Sequence, residues 1–338
     1  MTTETRPVEL DRFERYLVEE FYDDYVEGEI SRRTFVRRLA YITGSMAAVG
    51  PVMLALGCAP GDVPGPNEPI PSPEAKAPAT TATTAPAGTV VPVPDAKSPL
   101  SIPEGDPRVR GEMVRFANGA DQILGYLARP ASGPTTGLRG VLICHENAGY
   151  SAHFGDIARR FAKEGYVAIA LDLLSREGGT ANVQRDQASG ALTSAGIARH
   201  VSDFDAARKY LGTLPGVDGT RIGMTGYCFG GGVTWEAATK IPELKATAAF
   251  YGPAPDLAAA ANIKAAAFGV YAETDARITG AMPGLEAALK AANVRNQMKV
   301  YPGVGHGFFN DTRAYTEVTD AQAQQAWRDT LAWFQQYI

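Results

Sequence analysis

From residue 109 onward, apolar runs of strand length alternate with segments of helical spacing. VRGEMVRF (109–116) and QILGYLARP (122–130) read as an antiparallel opening pair. GVLICHE (140–146) is an apolar strand running into a loop, and YVAIALDLL (166–174) is continuously apolar, as a strand buried on both faces is. RIGMTGYC (221–228), ATAAFYG (246–252), AAAFGVYAE (265–273) and MKVYPG (298–303) supply four more strands. Between them, DIARRFAKEG (156–165) has helical spacing and a glycine stop, and a long helical region reaches Leu211. GGGVTWEAATK (230–240), GLEAALKAA (284–292) and AQAQQAWRDTLAWFQQYI (321–338) complete the helices. This alternation predicts an α/β fold with a mostly parallel central sheet and helices on both faces. In such folds the active site sits at the carboxyl ends of the strands.

Ahead of residue 101 the pattern changes. DRFERYLVEEFYDDYVEGEI (11–30) is acidic and amphipathic, SRRTFVRRLA (31–40) is basic, and an apolar stretch of 18 residues runs from Leu39 to Leu56, closed by Cys58. Basic, apolar and small-residue parts in that order are those of an export signal. Arg32, Arg33 and Phe35 resemble a bacterial twin-arginine signal, and ALGC resembles a degenerate lipoprotein box with Cys58 as the acylated residue. Residues 1–58 are therefore expected to be a signal or anchor that places the protein in the periplasm or on the membrane, with a membrane tether through this segment. Two alternatives stand beside it. The run is at the lower edge of what spans a bilayer, so it could be an uncleaved anchor with its arginine side in the cytoplasm. Or the front could be a cytoplasmic helical hairpin that packs on a partner. Residues 59–100, rich in Pro, Ala and Thr, cannot bury apolar area and read as a linker. That leaves 101–338 as the catalytic domain.

Composition narrows the function. Among 338 residues, 45% are hydrophobic and 20% charged, enough for a real core. A net charge of −5 argues against a nucleic-acid partner. Three cysteines make no disulfide framework, and four scattered histidines without HExxH or paired CxxC predict neither metal nor cofactor.

The candidate chemistry lies at the strand ends. Glu146 follows one strand, Arg176 the next, then Cys228, Asp275 and His306. Nucleophile, acid and histidine come in the chain order of an α/β-hydrolase triad. The elbow is Gly226-Tyr227-Cys228-Phe229-Gly230, a G-x-C-x-G form of G-x-S-x-G between strand and helix. Cys228 is the expected nucleophile, since a thiolate is easier to generate than an alkoxide. Its place at a helix N-terminus beside a histidine favours that thiolate. His306 is the expected base and Asp275 its orienting carboxylate. The backbone N–H of Phe229, joined by that of Asn147, would form the oxyanion hole. Tyr227, next to the nucleophile, is expected at the substrate. Cys144, His145, His153 and His200 read as structural.

The motifs HEN with a following glycine (145–149), DLLSR (172–176), GYCFGG (226–231), ETD (273–275) and GVGHGF (303–308) resemble the dienelactone hydrolase family from about residue 101 to the C-terminus. The resemblance implies an α/β-hydrolase fold, a Cys-His-Asp triad, and a carboxylate at Glu146 that helps activate the thiol. It also implies two arginines that bind a substrate carboxylate. Arg176 matches the first; the second position holds Asn310, with Arg313 nearby but out of register. The expected reaction is cleavage of a small activated ester or enol-lactone through an acyl-thiol intermediate. The alternatives are a general carboxylesterase without dienelactone activity, a non-catalytic binding module on the same fold, and a thiol redox protein, which the absence of CxxC disfavours.

Overall fold

The computed structural model describes residues 9–72 and 89–338. Residues 1–8 and the middle of the expected linker, 73–88, lie outside the described residues. The described chain opens with three helices: α1 (Arg12–Val26), α2 (Arg32–Thr43) and α3 (Met46–Ala55). A capping box starts α1: the Asp11 carboxylate accepts from the Glu14 N–H at 2.8 Å, and the Glu14 carboxylate accepts from the Asp11 N–H at 2.8 Å. Gly44, at φ 69°, ends α2, and the Ser45 hydroxyl caps α3. The apolar run is thus broken, with a 111° bend between its helices. Among the described residues no single helix is long and apolar enough to cross a membrane.

The rest forms one eight-stranded sheet. Strands β1 (Val109–Asn118) and β2 (Asp121–Pro130) pair antiparallel, as their pattern predicted. The others are β3 (Leu138–Cys144), β4 (Val167–Asp172), β5 (Val217–Tyr227), β6 (Ala246–Phe250), β7 (Ala266–Ala272) and β8 (Asn296–Tyr301). Their order is β1-β2-β4-β3-β5-β6-β7-β8, antiparallel as far as β4 and parallel from there on. Strands β4, β6 and β7 are buried at every residue, which explains their unbroken apolar runs.

Helices cover both faces. On one face α4 (Ala152–Lys163) meets the C-terminal helix, where Phe161 stands 4.6 Å from Trp327 and 5.9 Å from Phe334 between ring centroids. The expected long helix ending near Leu211 is two helices, α5 (Arg185–Ala195) and α6 (Ile197–Thr213), parted by Gly196 at φ 76°. With α7 (Phe229–Lys240), α6 packs on the opposite face. The short α8 (Ala276–Thr279), α9 (Met282–Ala291) and the C-terminal α10 (Glu317–Tyr337) complete the fold.

Two buried polar arrangements hold the parts in register. In the first, Arg160 of α4 binds Asp156 at 2.6 Å and Asp311 at 3.1 Å, while Asp311 also takes the Ser98 N–H at 3.0 Å and faces His153 at 3.1 Å. A buried carboxylate is tolerated only with this density of partners, and the arrangement pins the loop after β8. In the second, α2 binds α5 through an ion pair between the buried Arg37 and Asp186, and Arg37 also donates to the Ser72 carbonyl at 2.7 Å. Arg32, one of the paired arginines, donates to the carbonyl of Asp62.

Candidate active site

Strand β5 ends at Tyr227 and α7 begins at Phe229, so Cys228 alone makes the turn. It does so at φ 57° and ψ −121°, a conformation that side chains other than glycine rarely adopt. Such strain persists only where the surroundings enforce it, and it collects at functional sites. The flanking glycines are sterically required. A methyl on Gly226 would stand 2.1 Å from the Gly230 carbonyl oxygen, and one on Gly230 would stand 2.4 Å from that of His145. The turn holds the Cys228 sulfur over the start of α7. There the first N–H groups, that of Phe229 among them, lack intrahelical acceptors, and the helix dipole favours an anion.

Asp275 stands three residues past the end of β7 and caps α8, its Oδ1 accepting from the Ile278 N–H at 3.4 Å. Its Oδ2 lies 2.6 Å from Nδ1 of His306, which sits in the loop after β8. The imidazole packs edge-on against Tyr251, at 5.0 Å between centroids. The Cys228 sulfur, a His306 ring nitrogen and a Glu20 carboxylate oxygen all lie within 4.8 Å of one another. Burial opposes a charge on His306, but Glu20, Asp275 and Cys228 outweigh it and raise its pKa well above the usual imidazole value.

Glu146 is buried at the end of β3. Its Oε2 accepts from Nδ2 of Asn310 and from the Arg313 guanidinium, each at 2.9 Å. Burial pushes its pKa up, but Arg313, His153 and Asn310 pull it down further, leaving it below the ordinary carboxylate value. Arg313 is out of register with the family's second arginine, whose position Asn310 holds. Turns between Gly307 and Arg313 bring both side chains to the same Glu146 carboxylate oxygen.

Other expected residues sit differently. Arg176 is engaged by Asp203, at 2.8 Å, and by Asp121, at 2.5 Å, neither of them a site residue. Tyr227, expected at the substrate, is 1% exposed and packs its ring against Phe250, Phe309 and Phe154. Alternation explains this: Tyr227 is the last residue of β5, on a sheet face that α4 and α10 cover, whereas the sulfur leaves by the turn. Asn147 is buried and its carbonyl accepts from the Ser189 hydroxyl at 3.0 Å. The remaining histidines have structural partners. His145 places Nδ1 2.7 Å from the Glu146 carbonyl and accepts the Leu173 N–H at Nε2. His200 places Nε2 2.8 Å from the Leu192 carbonyl, and burial lowers its pKa to about 4. Cys144 is fully buried within β3, and burial drives its pKa well up.

Two residues that the sequence did not suggest also stand at the sulfur and the imidazole, both from α1. The Tyr16 hydroxyl lies 3.2 Å from the Cys228 sulfur, and the Glu20 carboxylate lies 3.2 Å from Nε2 of His306.

The sequence model of the dienelactone hydrolase family matches residues 123–338. The chain belongs to the dienelactone hydrolase family. A Salmonella typhi protein provisionally named a carboxymethylenebutenolidase is 32% identical over 269 residues, covering 75% of this chain and 97% of that one. A Methylorubrum extorquens protein under the same provisional name is 33% identical over 228 residues, covering 63% of this chain and 76% of that one. The crystal structure of a provisionally named dienelactone hydrolase from Klebsiella pneumoniae superimposes with a TM-score of 0.62 at 30% identity, covering 68% of this chain and 99% of that one. As a member of the dienelactone hydrolase family, the chain is a hydrolase acting on ester or lactone bonds. The family match begins within β2, so α1, α2 and α3 lie outside it.

Proposed function

We propose that the chain hydrolyses small activated esters or enol-lactones with Cys228 as nucleophile, His306 as base and Asp275 as its orienting acid. The observation that carries this reading is the strained Cys228 turn with the Asp275–His306 pair in reach of its sulfur. His306 takes the thiol proton and the thiolate attacks the carbonyl carbon, forming a C–S bond and a tetrahedral oxyanion. The N–H groups of Phe229 and Asn147 receive that oxyanion. Collapse breaks the C–O bond, and the imidazolium gives its proton to the departing oxygen. His306 then takes a proton from water, whose oxygen attacks the thioester; the C–S bond breaks, the carboxylic acid forms, and the departing thiolate takes that proton back from the imidazolium. From the tetrahedral intermediate a thiolate departs more readily than an amine, so amides are poor substrates, whereas enolate and phenolate leaving groups suit the site. Arg313 supports an anionic substrate: a substrate carboxylate that draws Arg313 away from Glu146 would leave that buried carboxylate seeking a proton near the thiol.

Membrane attachment and export through residues 1–58 remain part of this proposal, supported by the order of basic, apolar and small-residue parts. The substrate class is tested with p-nitrophenyl acetate and a dienelactone, each before and after treatment with iodoacetamide. We expect both to be hydrolysed and both activities to be lost on alkylation. Hydrolysis of the simple ester alone would make the protein a general carboxylesterase.

A further inference from the structure

We propose that α1 is an autoinhibitory plug that holds the thiol and the imidazole in a resting state and must withdraw before substrate can reach Cys228. This inference rests on the catalytic reading of Cys228 and His306 given above. Tyr16 and Glu20 are four residues apart, so both project from one face of α1. One meets the sulfur and the other the base, each at 3.2 Å. An attacking sulfur needs a carbonyl carbon at about 3–3.5 Å. Tyr16 already fills that distance, and it leaves Cys228 only 2% exposed. Glu20 stands 3.2 Å from Nε2 of His306 and so crowds the same small space that the sulfur and the imidazole share.

The rest of α1 is fitted to the body on both sides of these contacts. Phe13 packs edge-on against Phe229, at 5.7 Å between centroids. A methyl on Gly232 would come within 2.9 Å of the Phe13 ring as well as against Pro253, so the bare Gly232 leaves room for Phe13. Arg277 binds Glu20 and Asp23 and lies 4.9 Å from the centre of the Tyr16 ring. Arg12 binds Glu236 and the carbonyl of Ala254. The reacting groups Cys228, His306 and Asp275 all lie within the family match, whereas α1 lies outside it. A cut ahead of Cys58, as the signal reading requires, would remove α1 and uncover the sulfur.

The experiment uses the full chain, with iodoacetamide as a probe of access and p-nitrophenyl acetate as a probe of turnover. Mass spectrometry separates alkylation of Cys228 from that of the half-buried Cys58, which serves as the internal reference. In a Tyr16→Ala/Glu20→Ala variant we expect Cys228 to alkylate about tenfold faster, equivalent to about 1.4 kcal/mol in opening, with Cys58 unchanged. Ester hydrolysis should rise in parallel. Arg12→Ala, which loosens α1 from the surface without opening a cavity, should move both rates the same way by a smaller factor. Unchanged alkylation in both variants would overturn the plug. So would faster alkylation with slower hydrolysis in both, because Tyr16 and Glu20 would then assist the reaction. Faster alkylation with no hydrolysis in any form would support the occlusion and remove the hydrolytic reading instead.

Discussion

The Cys228→Ala variant is expected to fold and to lose ester hydrolysis by about 10⁴- to 10⁶-fold, the range seen when a covalent nucleophile is removed. The size follows from the site's division of labour. Without sulfur there is no bond to the acyl carbon, and only binding and the oxyanion donors remain. The variant should keep its fold because alanine deletes a single buried atom and adds none. The φ of 57° is equally awkward for both residues, so the turn is enforced by its surroundings in either case. Circular dichroism and thermal melting check the fold, and initial rates with p-nitrophenyl acetate check the activity. A folded variant with undiminished turnover would leave Cys228 a structural residue.

Asp275→Asn is expected to lower kcat by about 10⁴-fold, again with the fold intact. Asp275 lies 2.6 Å from Nδ1 of His306, so it accepts from the Nδ1–H and leaves Nε2 basic. An asparagine can present its NH₂ group to Nδ1, which favours the other tautomer and a non-basic Nε2. The substitution also carries a pH signature. Despite burial, Glu20, Asp275 and Cys228 hold the folded-state pKa of His306 well above its unfolded value. The protonated ring therefore contributes stability that is fully present below the unfolded pKa of about 6.5, and this is lost as pH rises through the folded pKa. With asparagine the folded pKa falls towards the unfolded one. The loss of melting temperature as pH rises above the unfolded pKa of about 6.5 should then be smaller than in the parent chain. An unchanged pH dependence together with unchanged kcat would remove Asp275 from the triad.

The parts of this site that are legible in the chain are those that local geometry dictates. The elbow can be read because glycines at 226 and 230 are the only residues that fit against Gly230 and His145. Asp275 and His306 can be read because a parallel sheet gathers the residues that follow its strands at one edge. The pairing of Arg313 with Glu146 escapes because it depends on turns between Gly307 and Arg313 that fold the loop onto that carboxylate. Tyr16 and Glu20 escape for a different reason. Tyr16 meets Cys228 across 212 residues, and an amphipathic helix has the same pattern whether its apolar face meets a protein, a membrane or a partner. The split between α5 and α6 was visible only as Gly196, a residue that a helix can also tolerate at modest cost.

The acyl-thiol intermediate can be trapped by rapid acid quench of the reaction with p-nitrophenyl acetate, followed by peptide mass mapping. We expect one acetyl group on the peptide that contains Cys228, released by hydroxylamine and absent from Cys228→Ala. Turnover of the ester with the acetyl group on another residue, or with none at Cys228 at any quench time, would contradict it.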